Sequence, residues 1–261
     1  MNFNHYLPDT PKRLARFKKL VHGRPVAIIL PGFSIYEFEN RIEDFRDLDI
    51  CYAGINRWMP LEEDILSKIG KHVSIGMSSA APDWFIEHIC SYLDREEDNI
   101  FISERMNFKA SEGENLSRLY DNYNEKMLFF TSFDSYAEKP NEDYPLHFIA
   151  ENSTSILLCL ITIAEPSAIV LFGADGGRIS ESGLYYKSIN EFIHPDRLDP
   201  ESSIARDTDW FNTDMSQTLE WTRQTHKLGK CKIINCSENS HLTVFPRLSY
   251  NETIEYLRGI S

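Results

Sequence analysis

The chain has 261 residues, 42% of them hydrophobic and 26% charged, which fits a folded globular protein and excludes a collagen-like or wholly disordered one. Forty acidic against twenty-seven basic side chains give a net charge of −13, so the average field repels nucleic acid and anionic membrane surfaces. No apolar run reaches the roughly 20 residues needed to span a bilayer, and the first residues lack the apolar core of a signal peptide.

In chain order, short β-branched or aromatic runs alternate with longer amphipathic segments, the pattern of strands and crossover helices in a mostly parallel sheet. Strands are predicted at Val26–Leu30, Ile50–Gly54, Val73–Gly76, Ile100–Ser103, Met127–Thr131, Ala168–Phe172 and Lys232–Asn235. Helices are predicted near Pro11–Val21, Ile35–Phe45, Leu61–Ile69, Asp83–Leu93, Asn115–Tyr120, Thr154–Glu165, Met215–Leu228 and Tyr250–Arg258. Pro82-Asp83 and the Asn152-Ser153-Thr154 cluster supply helix-start signals. From 176 to 214 glycines, prolines, serines and acids show no sustained period, which predicts a lid or binding insertion. The expectation is an α/β class protein: one nucleotide-binding domain over 1–261, with a Rossmann-like, mostly parallel sheet and helices on both faces. Five widely spaced cysteines fit reduced, mostly buried thiols and a cytoplasmic location.

Five polar segments follow predicted strands or open helices, at the sheet edge where α/β proteins bind ligands. The first is Pro31-Gly32-Phe33-Ser34, where Gly32 permits close backbone approach and Ser34 caps a helix or donates to a phosphate. A plain strand-to-helix turn is the alternative. The second, Asn56-Arg57-Trp58, offers an amide suited to a base or ribose and a guanidinium suited to an anion. Helix capping by Asn56 beside a solvated Arg57 is its alternative. Ser153 and Thr154 open the most apolar helix, where hydroxyls and unpaired N–H groups suit a phosphate or sugar carboxylate, or simply cap the helix. Gly173-Ala174-Asp175 ends a strand; Asp175 suits hydroxyls, a divalent cation, or a turn. Tyr185, Tyr186 and Lys187 lie just beyond, as donors to a leaving phosphate or as packing side chains. Last, Asn235-Cys236-Ser237-Glu238-Asn239-Ser240 is a polar run suited to nucleobase edges or to Asx turns.

Together these segments resemble bacterial lipooligosaccharide sialyltransferases that use CMP-sialic acid, and the related motility-associated and pterin pyrophosphokinase-like proteins. Gly32-Phe33-Ser34 matches the GxS-type turn, Ile55-Asn56-Arg57-Trp58 the Cys-Asn-aromatic segment, and Ser153-Thr154 the Ser-small pair. Gly173-Ala174-Asp175 matches the Gly-x-Asp turn; Cys236 to Ser240 with Phe245 is similar to the C-terminal CxNS stretch. Two positions depart: Pro31 replaces an asparagine, and Asp209 stands where the family's catalytic histidine precedes Asn-Thr-Asp, here Asn212-Thr213-Asp214.

The resemblance implies a transferase moving a CMP-activated acidic sugar onto a surface glycan hydroxyl, with no cofactor or metal required. Asp209 is the expected base and His194 the second choice, an ordinary loop histidine being the alternative for the latter. Tyr185 or Tyr186 would stabilise the departing phosphate. Gly32, Ser34, Asn56, Arg57, Gly173, Asp175, Ser237, Asn239 and Ser240 would line the nucleotide site, with Ser153 and Thr154 near the sugar acid. The partners would be a nucleotide-sugar donor and a glycan acceptor, with no nucleic acid and at most peripheral membrane contact, at the inner face of the membrane. Oligomeric state leaves no mark in the pattern. Two alternatives stand: a 6-hydroxymethylpterin diphosphotransferase in which Asp175 helps bind magnesium, and a non-catalytic nucleotide-sugar-binding protein.

Overall fold

The structure is a computed structural model that describes residues 10–56, 58–78, 83–95, 98–104, 119, 121–132, 147–148, 152–176, 208–237 and 240–260. Its helices are α1 (Thr10–Val21), α2 (Ile35–Asn40), α3 (Met59–Asp64), α4 (Asp83–Leu93), α5 (Ser153–Ile163), α6 (Thr208–His226) and α7 (Tyr250–Ile260). Its strands are β1 (Pro25–Ile29), β2 (Cys51–Ile55), β3 (Val73–Ser78), β4 (Ile100–Glu104), β5 (Met127–Ser132), β6 (His147–Phe148), β7 (Ala168–Phe172) and β8 (Lys232–Asn235). The described strands pair in parallel, in the order β6–β5–β4–β3–β2–β1–β7–β8, with β6 a two-residue extension of one edge.

Helices cover both faces of this sheet, so the strands are buried on both sides and read as near-continuous apolar runs. Period-two alternation divides them between two cores. Ala27, Ile29, Tyr52, Val170 and Phe172 face the core built with α2, α3, α4 and α7. Val26, Ile28, Cys51, Ala53, Ile169 and Leu171 face the core built with α1, α5 and α6. α5 lies within that second core, with every residue from Ser155 to Ile163 buried, which explains why its sequence is apolar all round.

Trp58 shows how local sequence fits this packing. Its ring is fully buried, and at Gly54 and Gly76, paired neighbours on β2 and β3, an added Cβ would lie 2.3 Å from the Trp58 Cβ and 2.3 Å from the Trp58 ring respectively. The two glycines leave a hollow across both strands, and Phe85, Tyr92 and Phe101 pack around the indole. Sequence placed Trp58 in a ligand-facing segment; it belongs to the core.

Three other expectations change. The loop predicted over 176–214 ends earlier, because α6 already begins at Thr208 and Phe211, Met215 and Leu219 repeat at helical spacing along it. The helix predicted over Ile35–Phe45 is α2 followed by a 3₁₀ turn at Ile42–Phe45, and that over Leu61–Ile69 is α3 followed by a 3₁₀ turn at Leu66–Ile69. β6 was not foreseen. The predicted lid residues 177–207 and, apart from Leu119, the helix near Asn115–Tyr120 lie outside the described residues. Cys51, Cys90, Cys159, Cys231 and Cys236 form no disulfide, and no helix of the described residues is long and apolar enough to cross a membrane.

Candidate functional site

Strands β1 to β6 progress in one direction across the sheet, whereas β7 and β8 continue on the opposite side of β1. The chain therefore reverses its winding between β1 and β7, and the crevice outside the carboxyl ends of these two strands is where open α/β sheets bind ligands. The β1 exit carries Gly32 and Ser34; the β7 exit carries Gly173 and Asp175.

The two exits are tied together. Leu30 N–H donates to Phe172 O at 2.9 Å and Gly32 N–H to Gly173 O at 3.2 Å. Ser34 N–H donates to Asp175 Oδ2 at 3.0 Å, and the Ser34 hydroxyl donates to Asp175 Oδ1. Glycine is required on both sides. A Cβ at Gly32 would fall 2.3 Å from Gly173 O and 2.7 Å from Asp175 Oδ2; one at Gly173, whose φ is +70°, would fall 2.1 Å from Leu30 O. Asp175 thus acts here as an internal acceptor for the turn before α2. Both its oxygens serve Ser34, the turn role that sequence offered beside hydroxyl or cation contacts.

The β8 exit fastens the same loop from its other side. Ala174 N–H donates to Ser237 Oγ at 2.9 Å, and Ser240 Oγ donates to Ala174 O. Buried Asn235 orders the clasp, donating through Nδ2 to Ser240 Oγ at 2.9 Å and accepting from Ser237 N–H at 3.0 Å. Ser237 and Ser240 are 1% and 4% exposed, so their hydroxyls position the Ala174 backbone instead of lining a nucleobase pocket. Burial also pushes the Cys236 thiol up to about 12, which leaves it protonated and inert near neutrality.

At the start of α5 the cap is Asn152. Its Oδ1 accepts from Ser155 N–H at 2.8 Å, and its Nδ2 donates to Ser155 Oγ and to Asp214 Oδ2. Ser155 Oγ also donates to that Asp214 oxygen, at 2.5 Å. A carboxylate from α6 therefore already sits at this helix start, where a negative charge is favoured. Ser153 and Thr154, the residues that sequence offered to a ligand's anionic group, are half-buried beside this pairing.

α6 is pinned a second time one turn from its start. Asn212 Oδ1 accepts from Thr243 N–H at 2.8 Å and Val244 N–H at 3.0 Å, while its Nδ2 donates to His241 O at 3.4 Å. His241 N–H in turn donates to Asp175 O at 3.2 Å. Hydrogen bonds thereby connect the exits of β1, β7 and β8 with the first turns of α6 and the start of α5.

Asn56 lies at the carboxyl end of β2, next to the β1 exit. Its φ of +55° is a left-handed conformation that asparagine tolerates, its N–H donates to Met77 O at 2.6 Å, and its side chain is exposed. Of the predicted site residues, the structure brings Gly32, Ser34, Gly173, Asp175, Ser237 and Ser240 together, with Asn56 beside them. Asp209 lies in the first turn of α6, its side chain outside those described. Arg57, Tyr185, Tyr186, His194 and Asn239 also lie outside the described residues.

Asn212, Asp214 and His241 were missed as contributors, whereas Asn235 opens a segment that sequence had singled out. Asn212 and Asp214 stand in the motif that sequence compared with the family, but their partners are about 30 and 60 residues away, at His241 to Val244 and at Asn152 and Ser155. No trio of His, Cys, Asp or Glu among the described residues is grouped to hold a metal ion. No protein-family model and no curated protein matches this chain.

Proposed function

We propose that this protein is a glycosyltransferase that binds a CMP-activated acidic sugar at the switch point between β1 and β7 and transfers the sugar to a glycan hydroxyl. The observation that carries the reading is the cross-tied pair of exits, Gly32 to Ser34 and Gly173 to Asp175, at the crevice where α/β sheets take nucleotides. Resemblance of these segments to CMP-sialic-acid-dependent transferases supplies the substrate class. Exposed Asn56 beside the crevice offers a donor and an acceptor for cytosine or ribose. The leaving phosphate would be met by Tyr185 or Tyr186, and a base near the start of α6 would take the acceptor proton, as the resemblance implies for Asp209.

The diphosphotransferase alternative asks Asp175 to help bind magnesium. Its bonds to Ser34 favour the transferase instead, since a metal would have to compete with two charge-assisted donors. Thermal stabilisation across CMP, CMP-, UDP- and GDP-sugars, and ATP with magnesium and a pterin separates the readings. Selective stabilisation by CMP and CMP-sugars is expected; selective stabilisation by ATP with magnesium and pterin would replace the transferase with the diphosphotransferase. CMP binding without transfer to any acceptor would leave a nucleotide-sugar-binding protein.

A further inference from the structure

We propose that Phe33 is the platform on which the base of the bound nucleotide stacks, a binding role that rests on the transferase reading for the identity of that base, cytosine. Sequence singled out Gly32 and Ser34 and left Phe33, between them, without a role. Ile35 N–H donates to Gly32 O at 3.0 Å and Tyr36 N–H to Phe33 O at 3.3 Å, so Phe33 and Ser34 are the two corner residues of a turn at the carboxyl edge of the sheet. The two corners differ in how the fold uses them. Ser34 is 7% exposed and its hydroxyl is spent on Asp175. Phe33 is only half-buried and belongs to neither core. Among the described rings it meets Tyr36, with centroids 5.2 Å apart and planes tilted by 59°, and Tyr36 in turn packs against the core built with α2, α3, α4 and α7. The phenyl ring is thus braced from one side and accessible in part at the edge where the ligand crevice opens.

Its place relative to Asn56 follows from the register of the two strands. Ile29 pairs with Gly54, so Pro31 and Asn56, each two residues further on, leave neighbouring strands level with one another. Neighbouring strands lie about 4.8 Å apart, and Phe33 follows Pro31 by two residues. A pyrimidine whose edge bonds the exposed Asn56 amide therefore spans the gap to the Phe33 turn.

Charge makes an aromatic platform useful here. A nucleotide carrying an acidic sugar is an anion, and the chain itself carries a net charge of −13. Asp175 beside the turn and Glu37 in the first turn of α2 add to that field. Stacking on a ring face does not depend on net charge, so it supplies affinity against the field. Ligand crevices are in general lined by apolar and aromatic groups, with a few polar ones that fix orientation. Phe33 is the apolar surface of this crevice and Asn56 the amide that reads the base edge, so Phe33 sets affinity for a base while Asn56 sets which base.

The test measures binding of CMP, and of ATP with magnesium, to wild type, Phe33→Ala, Phe33→Leu, Phe33→Tyr and Phe33→Trp by calorimetry, with Tm recorded for each. Phe33→Ala should weaken CMP binding about 5–100-fold, the usual effect of removing a stacking ring. Phe33→Leu should lose nearly as much, because it keeps apolar bulk but has no ring face, whereas Phe33→Tyr and Phe33→Trp should bind within about threefold of wild type. CMP should quench the fluorescence of Phe33→Trp beyond any change in wild type. Tm should stay within about 2 °C of wild type in Phe33→Ala, since the ring packs in neither core. If wild type binds CMP and either Phe33→Ala or Phe33→Leu binds it within about twofold as well, the platform falls and the transferase reading stands. The platform also falls if all four variants lose affinity together with Tm, the mark of a structural role. ATP bound in place of CMP, with the same order of variants, would keep the platform and remove the transferase reading. Wild type binding neither nucleotide would remove both.

Discussion

Replacing Asp175 by alanine should loosen the whole carboxyl edge, because its carboxylate accepts from both the Ser34 N–H and the Ser34 hydroxyl. Hydrogen bonds to a charged group contribute about 1.5–3 kcal/mol each when buried. Ser34 is buried at 7% exposure, but Asp175 is half-exposed, so the low end of that range applies and the pair amounts to about 3 kcal/mol. For a chain of this size that lowers Tm by about 6–12 °C. Asp175→Asn should cost about 1 kcal/mol, because a rotated amide still accepts from Ser34 N–H while donating to Ser34 Oγ. Ser34→Ala removes only the hydroxyl bond, so a Ser34→Ala/Asp175→Ala double-mutant cycle should show a coupling of about 1–2 kcal/mol. Scanning calorimetry with and without magnesium is the assay. The reasoning is refuted if the alanine variant melts within about 1 °C of wild type, if asparagine is as damaging as alanine, or if magnesium stabilises wild type and not the variant.

Gly76→Ala should lower the urea midpoint by about 1–3 kcal/mol of stability at unchanged m, because its Cβ would meet the Trp58 ring at 2.3 Å; an unchanged midpoint would mean that the indole has room to move. Burial pushes the thiols of Cys51 and Cys159 up to about 12, and that of Cys236 likewise. A thiol reagent at pH 8 should therefore leave all three unreacted in the native protein and titrate all five cysteines after unfolding. Glu252 is held below its ordinary value by bonds from the Ser249 hydroxyl and N–H at the start of α7. Its stabilisation is present above the unfolded carboxyl pKa and disappears as pH falls through the lower folded value. The Tm gap between wild type and Glu252→Gln should consequently be widest near neutrality and close in acid.

Much of the fold is legible along the chain because local pattern and burial coincide. Ala168–Phe172 and Lys232–Asn235 are compact strand-forming runs bounded by turn residues, and their predicted limits match β7 and β8. Asp83–Leu93 likewise matches α4. β6 has only two residues, and pairing with Thr131 and Ser132 defines it, so it leaves no period to detect. The start of α6 was hidden because its first turn was averaged with the irregular stretch before it.

The candidate site was legible as a set of loops but less so as chemistry. Gly32, Ser34, Gly173 and Asp175 were singled out separately, yet the bond between Ser34 and Asp175 spans 141 residues, and only the reversal of winding brings the two together. Ser237 and Ser240 were read as ligand donors because their types suit one; burial and the clasp on Ala174 spend them within the fold. The same holds at α5, where the helix start that sequence offered to a ligand's anion is met by Asp214.

The most direct test of the transferase account is a calorimetric titration of CMP into wild type and Asn56→Ala. Saturable binding at one site, weakened at least about tenfold in the variant, is the predicted result. Wild type and Asn56→Ala binding CMP equally well, or wild type giving no binding at all, would contradict it.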